Sequence, residues 1–274
     1  MYQVRTNDQS LADPHTGPMT TVGVVHPGEM GVALAASLTA AGNRVIWASA
    51  GRSAATAARA GEHGLEDVGE LEAVASESDV ILSICPPHAA VGVARALTGF
   101  GGLYVDANAI APGTAQEVAA VVGASGGTYV DGGVIGPPPW TAGTTRLYLS
   151  GRGADQAAKL FDGSVVDARV ISPTAATAAS ALKMTYAAWT KGSDALLLAI
   201  EATAERLDVA DALHREWSES QPQLAARSQR AAEAAAEKGW RWTGEMEQIA
   251  ATFDAVGVPP GFHLAAAEVF RDAG

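Results

Sequence analysis

A single cysteine, Cys85, stands in the whole chain, so no internal disulfide can form and the fold is held by burial alone, as in the reducing cytoplasm. Positive charge is also scarce. Eighteen Lys and Arg against 30 Asp and Glu leave a formal net charge of −12, which repels phosphate backbones and anionic lipid and argues against nucleic acid or membrane partners. No apolar run approaches the ~20 residues a membrane helix needs. The six histidines show no H-E-x-x-H or other paired ligand spacing, so no metal site is expected. Residues 1–19 lack the apolar core of a signal peptide and are expected to form a disordered leader.

What is present is a 274-residue chain, 48% hydrophobic, long enough for one large or two moderate domains. Its first part alternates. The strand-like stretches TVGVV, RVIWAS, DVILSIC, GLYVDAN and TYVDGGVIG are separated by the helical patterns VALAASLTAAG, SAATAARAGEHG, AAVGVARALTGFG and PGTAQEVAAVVGASG. Such alternation means βαβ units and a parallel sheet, which RLYLSG and DARVIS would complete. After Pro173 the pattern changes: from Thr174 to Leu207 there is no proline and one glycine, Gly192, as in one long helix. The rest is helical too, with breaks expected at Gln221-Pro222, Gly239 and Val258 to Gly261. The expected architecture is an α/β Rossmann domain with a parallel sheet (20–173), then an all-α domain (174–274) led by a long interdomain helix. A helical segment of ~100 residues buries itself poorly alone, so a homodimer through these helices is expected.

The stretch VGVVHPGEMG places a turn between the first strand and the first helix. A dinucleotide turn uses three glycines: one for the tight turn, one to let backbone approach the pyrophosphate, one for close helix–strand packing. Gly28 and Gly31 hold the last two places, and His26 holds the first. His26, Pro27, Gly28, Glu29 and Met30 are therefore candidate cofactor contacts. At the end of the second strand an acidic residue would hold the ribose of NAD. RVIWASAGRS offers none, and gives Ser49, Arg52 and Ser53 instead, groups suited to a 2′-phosphate. NADPH is thus expected over NADH. Cys85, Pro86 and Pro87 follow another strand end, where α/β sheets bind ligands.

With these motifs the chain resembles the β-hydroxyacid dehydrogenase superfamily, which includes 3-hydroxyisobutyrate and 6-phosphogluconate dehydrogenases and imine reductases, and within it a branch with a C-terminal domain of unknown function. HPGEMG is similar to the family's GLGxMG turn, YVDANAIAPGTAQEVA to its VDxSTxxPxTA block, YVDGGVIGPPP to its DAPVSGG block, and ASALKMTYAAW to the start of its interdomain helix. The resemblance implies a cleft between the domains, with Lys183 as the catalytic acid/base in the family's K-x-x-x-N pattern. The asparagine of that pattern is Ala187 here, and Thr190 or Tyr186 could replace it. Asn108 stands at a family Ser/Thr position and could share the polar work. The substrate block becomes Gly133, Val134, Ile135 and Gly136 followed by three prolines, which have no N–H to offer a carboxylate. The family's second lysine falls near Glu245, beside Trp242. These departures imply a bulkier small-molecule substrate, less anchored by a carboxylate: a ketone, aldehyde or imine.

Overall fold

The computed structural model describes residues 19–273. The leader expected at the N-terminus lies outside the described residues except for its last residue, Met19, which is exposed. Eight strands form one sheet: β1 (Thr21–Val25), β2 (Arg44–Trp47), β3 (Glu66–Asp67), β4 (Val80–Ser83), β5 (Leu103–Asp106), β6 (Thr128–Ile135), β7 (Arg146–Ser150) and β8 (Asp167–Ser172). Their order is β3-β2-β1-β4-β5-β6-β7-β8. β1 and β4 run parallel, but the order of strand addition switches between them, and the crevice above that switch point is where open α/β sheets bind ligands.

The sheet departs from the fully parallel expectation at one pairing. β6 and β7 run antiparallel, Asp131 opposite Ser150 and Ile135 opposite Arg146. The ten residues between them form a hairpin-like return rather than a crossover helix, and two strands joined without a crossover must run antiparallel. One sheet face is covered by α1 (Glu29–Ala40), α2 (Ala54–Glu62) and α6 (Ala154–Lys159). The other is covered by α3 (Leu71–Glu77), α4 (Ala90–Ala96) and α5 (Pro112–Ala124). Val22, Val24, Leu82, Val105 and Val130 fill the first layer; Val25, Ile81 and Tyr104 fill the second. β3, α3 and α6 are too short to carry a clear period and do not stand out in the sequence.

Beyond β8 the chain is helical: α7 (Ala178–Arg206), α8 (Ala210–Ser220), α9 (Gln223–Asp254) and α10 (Gly261–Ala273). α7 spans ~44 Å at 1.5 Å per residue. Met184, Ala187, Met246, Ile249 and Phe270 pack where α7, α9 and α10 meet. The expected break at Gly239 does not occur: α9 runs through it unbroken, with Gly239 buried. A mid-helix glycine costs only about 1 kcal/mol relative to alanine, and packing overrides it.

Candidate active site

The turn after β1 is made by a residue that is not glycine. His26 sits at φ 67°, a left-handed conformation that costs most side chains ~1–2 kcal/mol. Its carbonyl accepts the Gly28 N–H at 2.7 Å. A Cβ at Gly31 would lie 2.6 Å from that same carbonyl and 2.9 Å from Ile84 Cγ2, so Gly31 is required for α1 to start here. A Cβ at Gly28 would meet nothing within 4 Å. The free space lies at the N-terminus of α1, whose first amides have no side-chain cap; that is the arrangement a pyrophosphate needs.

Two polar atoms beside this space are buried and unpartnered: His26 Nδ1 and Arg52 Nε. They are neighbours, since burial first and then the Arg52 charge push the His26 imidazole down to about 4. A buried donor or acceptor left unpaired costs ~1–3 kcal/mol, and a phosphate group would relieve both. The residues present therefore fit a dinucleotide. The other two groups expected at the β2 end are already engaged. Ser53 caps α2, accepting the Thr56 N–H at 3.2 Å. Ser49 is bound to Asp67, which takes its N–H at 3.1 Å and that of Gly69 at 2.9 Å. The Ser49 hydroxyl and these amides hold the Asp67 carboxyl below its ordinary range. So a carboxylate does reach the end of β2, from the neighbouring strand β3, where a scan along β2 alone does not find it. Arg52, with its Nε unpartnered, is the cation that follows β2.

At the ends of β4 and β5, side chains fasten the loops rather than open to the cleft. Asn108 is buried; its Oδ1 accepts the Cys85 N–H, its Nδ2 donates to Ser83 Oγ at 3.3 Å, and its own N–H donates to Asp106 Oδ1 at 3.0 Å. These bonds make Asn108 a fastener of the Cys85–Pro86–Pro87 loop, with one amide N–H and one lone pair of Oδ1 beyond them. Burial first, then Asp106, pushes the Cys85 thiol up to about 12, so it is inert as a nucleophile. Pro87 opens a single 3-10 turn (Pro87–Ala89) that packs against α9.

Two buried carboxylates, neither singled out in the sequence, stand opposite each other in register on β5 and β6: Asp106 and Asp131. Burial raises Asp106 to about 7. Asp131 accepts Ser150 Oγ at 3.0 Å, the Ser180 N–H at 2.8 Å and the Ser180 hydroxyl, and so locks the start of α7 onto the sheet. The repeated triplet Tyr-Val-Asp, at 104–106 and 129–131, was the available signal.

α7 then carries Lys183 to the carboxyl edge of the sheet. A Cβ at Gly133 would lie 2.7 Å from Ala179 O and 3.1 Å from Lys183 Cβ, so the glycine lets the lysine stem lie against β6. Burial alone lowers Lys183 to about 8. Among the described residues it forms no ion pair. Val134 and Ile135 are buried in and beside the sheet core, and Gly136, at φ 128°, turns the chain against Thr144. Neither stand-in for the missing asparagine bonds to Lys183 among the described residues. Tyr186 is 46% exposed, on a face shared with Trp189. The Thr190 hydroxyl donates to Ala187 O of its own helix, at 3.5 Å, and Ala187 itself is core. Lys191 stands about two turns further along α7. It forms a buried ion pair with Glu245 of α9, and its Nζ lies 5.8 Å from the centre of the Trp242 ring. Burial, Lys183 and Arg241 all push Lys191 well below the ordinary lysine range. Arg241 in turn reaches Glu29 at 3.5 Å, tying α9 to the first turn of α1.

Comparison with known proteins agrees with this geometry. Residues 21–160 match the model of the NAD binding domain of 6-phosphogluconate dehydrogenase, and residues 204–273 match a domain of unknown function, DUF1932. No curated protein matches the chain. Among solved structures, the conserved protein MTH1747, of unknown function and with structural similarity to 3-hydroxyacid dehydrogenases, is 27% identical, with a TM-score of 0.67 over 92% of this chain and 97% of that one. A 3-hydroxyisobutyrate dehydrogenase from Salmonella typhimurium shares the fold at 19% identity, TM-score 0.69, over 92% and 93%. So does a reductive aminase from Aspergillus terreus in complex with NADPH and ethyl levulinate, at 19% identity, TM-score 0.59, over 93% and 94%. The chain therefore belongs to the family of the 6-phosphogluconate dehydrogenase NAD binding domain, in the β-hydroxyacid dehydrogenase-like superfamily of NAD(P)-dependent oxidoreductases.

Proposed function

We propose that the protein is an NADPH-dependent oxidoreductase acting on a small carbonyl or alcohol, with its cleft between the carboxyl edge of the sheet and the helices α7 and α9. The observation that carries this reading is Lys183: half-buried, unpaired among the described residues, and lowered to about 8 beside Gly133. His26, Pro27, Gly28 and the start of α1 would hold the pyrophosphate, and Arg52 the 2′-phosphate. Bound there, the cofactor supplies or accepts the hydride. In the reducing direction the Lys183 ammonium donates its proton to the substrate oxygen; in the oxidising direction the neutral amine takes the hydroxyl proton. A lysine near 8 has both forms available at neutral pH. The polar grip on a carboxylate is weak, because Pro137, Pro138 and Pro139 have no N–H and Trp242 gives the α9 wall an aromatic face. That same feature favours a second reading, reduction of an imine.

The exposed stripe Tyr186, Trp189 and Leu196 on α7 supports a homodimer through this helix. Among the described residues no helix is long and apolar enough to cross a membrane; the acidic chain with one cysteine suits the cytoplasm.

The test is NADPH consumption with three substrate sets: 3-keto or semialdehyde acids, bulky carbonyls without a carboxylate, and cyclic imines. Carbonyl turnover that vanishes in Lys183→Ala supports the lead reading. Turnover confined to imines selects the second. Tight NADPH binding with no turnover of any set would mean a cofactor-binding protein without catalysis.

A further inference from the structure

α7 starts without a cap of its own: Thr177, at its N-cap position, makes no side-chain hydrogen bond to the first turn. The first N–H groups of a helix have no partner within it and, when buried, need one from elsewhere. Here the sheet supplies it. The Ala179 N–H donates to Ser150 Oγ of β7 at 3.0 Å, and the Ser180 N–H donates to Asp131 Oδ2 of β6 at 2.8 Å. The Ser150 and Ser180 hydroxyls each donate to Asp131 as well. All three polar side chains are buried. Enclosing a carboxylate costs free energy that these donors offset, and a serine or asparagine caps a helix without that cost.

What the arrangement adds is a register between strand and helix. Asp131 and Gly133, two apart on β6, lie on one face of the strand, about 6–7 Å from each other. Ala179 and Lys183, four apart on α7, lie on one face of the helix, about 6 Å apart along its axis. The two spacings match. At one end Asp131 holds Ser180. At the other stands Gly133, where a Cβ would lie 2.7 Å from Ala179 O and 3.1 Å from Lys183 Cβ. Ala179 is thus held at its N–H by Ser150 and abutted at its carbonyl by β6, and in an α-helix that carbonyl accepts the N–H four residues on, which is that of Lys183.

We propose that Asp131, through Ser150 and Ser180, is a positioning residue for Lys183: it sets the start of α7 on β6 so that the lysine stem lies against Gly133. Its catalytic consequence rests on the Lys183 reading; the contacts do not. Place and charge are separable by sign. Lys183 is lowered to about 8 by burial, so a lysine released from β6 should titrate higher. Loss of the Asp131 charge by itself would push Lys183 lower.

The test needs no substrate. On the full-length protein, the pH at which Lys183 becomes reactive to trace acetic anhydride is followed by peptide mass spectrometry. In Asp131→Ala this midpoint should rise from about 8 toward the ordinary 10.5, by on the order of one pH unit. Asp131→Asn, which keeps an oxygen for the Ser180 N–H, should return it toward 8. Ser180→Ala, which removes one hydroxyl and leaves the amide contact, should raise it less. Val74→Ala, a core truncation in α3, should lower the melting temperature and leave the midpoint in place. On whichever substrate set turns over, Asp131→Ala should lower kcat by about 10–10²-fold with NADPH Kd within about twofold of wild type, and Asp131→Asn should regain most of that loss. A rise that Asp131→Asn reverses and Val74→Ala lacks supports the proposal. A midpoint that stays near 8, or that rises as much in Val74→Ala, overturns it. If the labelling behaves as expected and no substrate set turns over, the Lys183 reaction fails while its placement by Asp131 stands. Should Asp131→Ala not fold, Ser180→Ala carries the test, and an unshifted midpoint there overturns the proposal.

Discussion

The cofactor wall of the cleft is assembled from residues close in sequence: His26, Gly28, Gly31 and Arg52 lie within one βαβ unit. The opposite wall carries Lys183 on α7 and, further along it, joins Lys191 to Glu245 and Trp242 of α9. The first wall has unmet polar atoms, His26 Nδ1 and Arg52 Nε, waiting beside open space. The second closes its charges on each other and leaves only Lys183 unpaired among the described residues. On the proposed reading, one wall receives a charged ligand and the other presents a single proton-bearing group. That division predicts which changes strike chemistry, which strike the ligand, and which strike the fold.

The largest effect belongs to the helical wall. Lys183→Ala should lower turnover by about 10²–10⁴-fold, the usual worth of a positioned acid/base, while NADPH affinity by fluorescence titration stays within about twofold of wild type. In the wild type the reducing rate should fall above pH 8 and the oxidising rate rise through it, since Lys183 is lowered to about 8. A matching loss of cofactor affinity in the variant would show that the two walls are not separable.

The glycines of the cofactor wall come next. Gly31→Ala forces a Cβ to 2.6 Å from the His26 carbonyl, which should cost ~1–3 kcal/mol of stability along with cofactor binding. Gly28→Ala meets nothing within 4 Å, so its melting temperature should match wild type while the NADPH Kd rises about tenfold or more, from backbone held off the pyrophosphate. Calorimetry beside titration separates the two. Equal melting losses would mean that the space before Gly28 is not the ligand's.

The sheet between the walls gives the next effect down. Asp106 is raised to about 7 from an ordinary 3.8. A carboxyl whose folded value is raised contributes stability that is full at acid pH and lost as pH climbs from about 4 through 7. Asp106→Asn, which keeps an acceptor for the Asn108 N–H, should therefore be the more stable protein at pH 8, by ~1–2 kcal/mol, and the less pH-dependent one by urea unfolding. An unchanged slope would show that Asp106 is not what titrates.

The same contrast explains what the sequence made legible. The Rossmann elements and the turn at Gly28 and Gly31 could be read because each is marked by local pattern. The partnership of Glu245 with Lys191 could not, because it is set by how α7 packs on α9, which no spacing records. Asp67 escaped because it serves the end of β2 from another strand. The loop-holding bonds of Asn108 to Cys85 and Ser83 are not legible either, because residue type shows a capacity for hydrogen bonds but not its partners. Gly239 was misread because a helix propensity is a weak prior against packing.

The smallest effect tests the oddest feature of the cofactor wall. His26 holds φ 67° and buries an unpartnered Nδ1. Glycine takes that conformation without strain and removes the orphan atom, but it also adds freedom to the unfolded chain. The strain of ~1–2 kcal/mol is offset in part by that entropy, so His26→Gly should stabilise the cofactor-free protein by about 0.5–1 kcal/mol. With NADPH bound the gain should shrink, because a phosphate that pairs with the imidazole in the wild type is lost to the variant. A gain that is the same with and without cofactor would leave His26 as a turn residue only and give the phosphate to Arg52 and the amides of α1 alone.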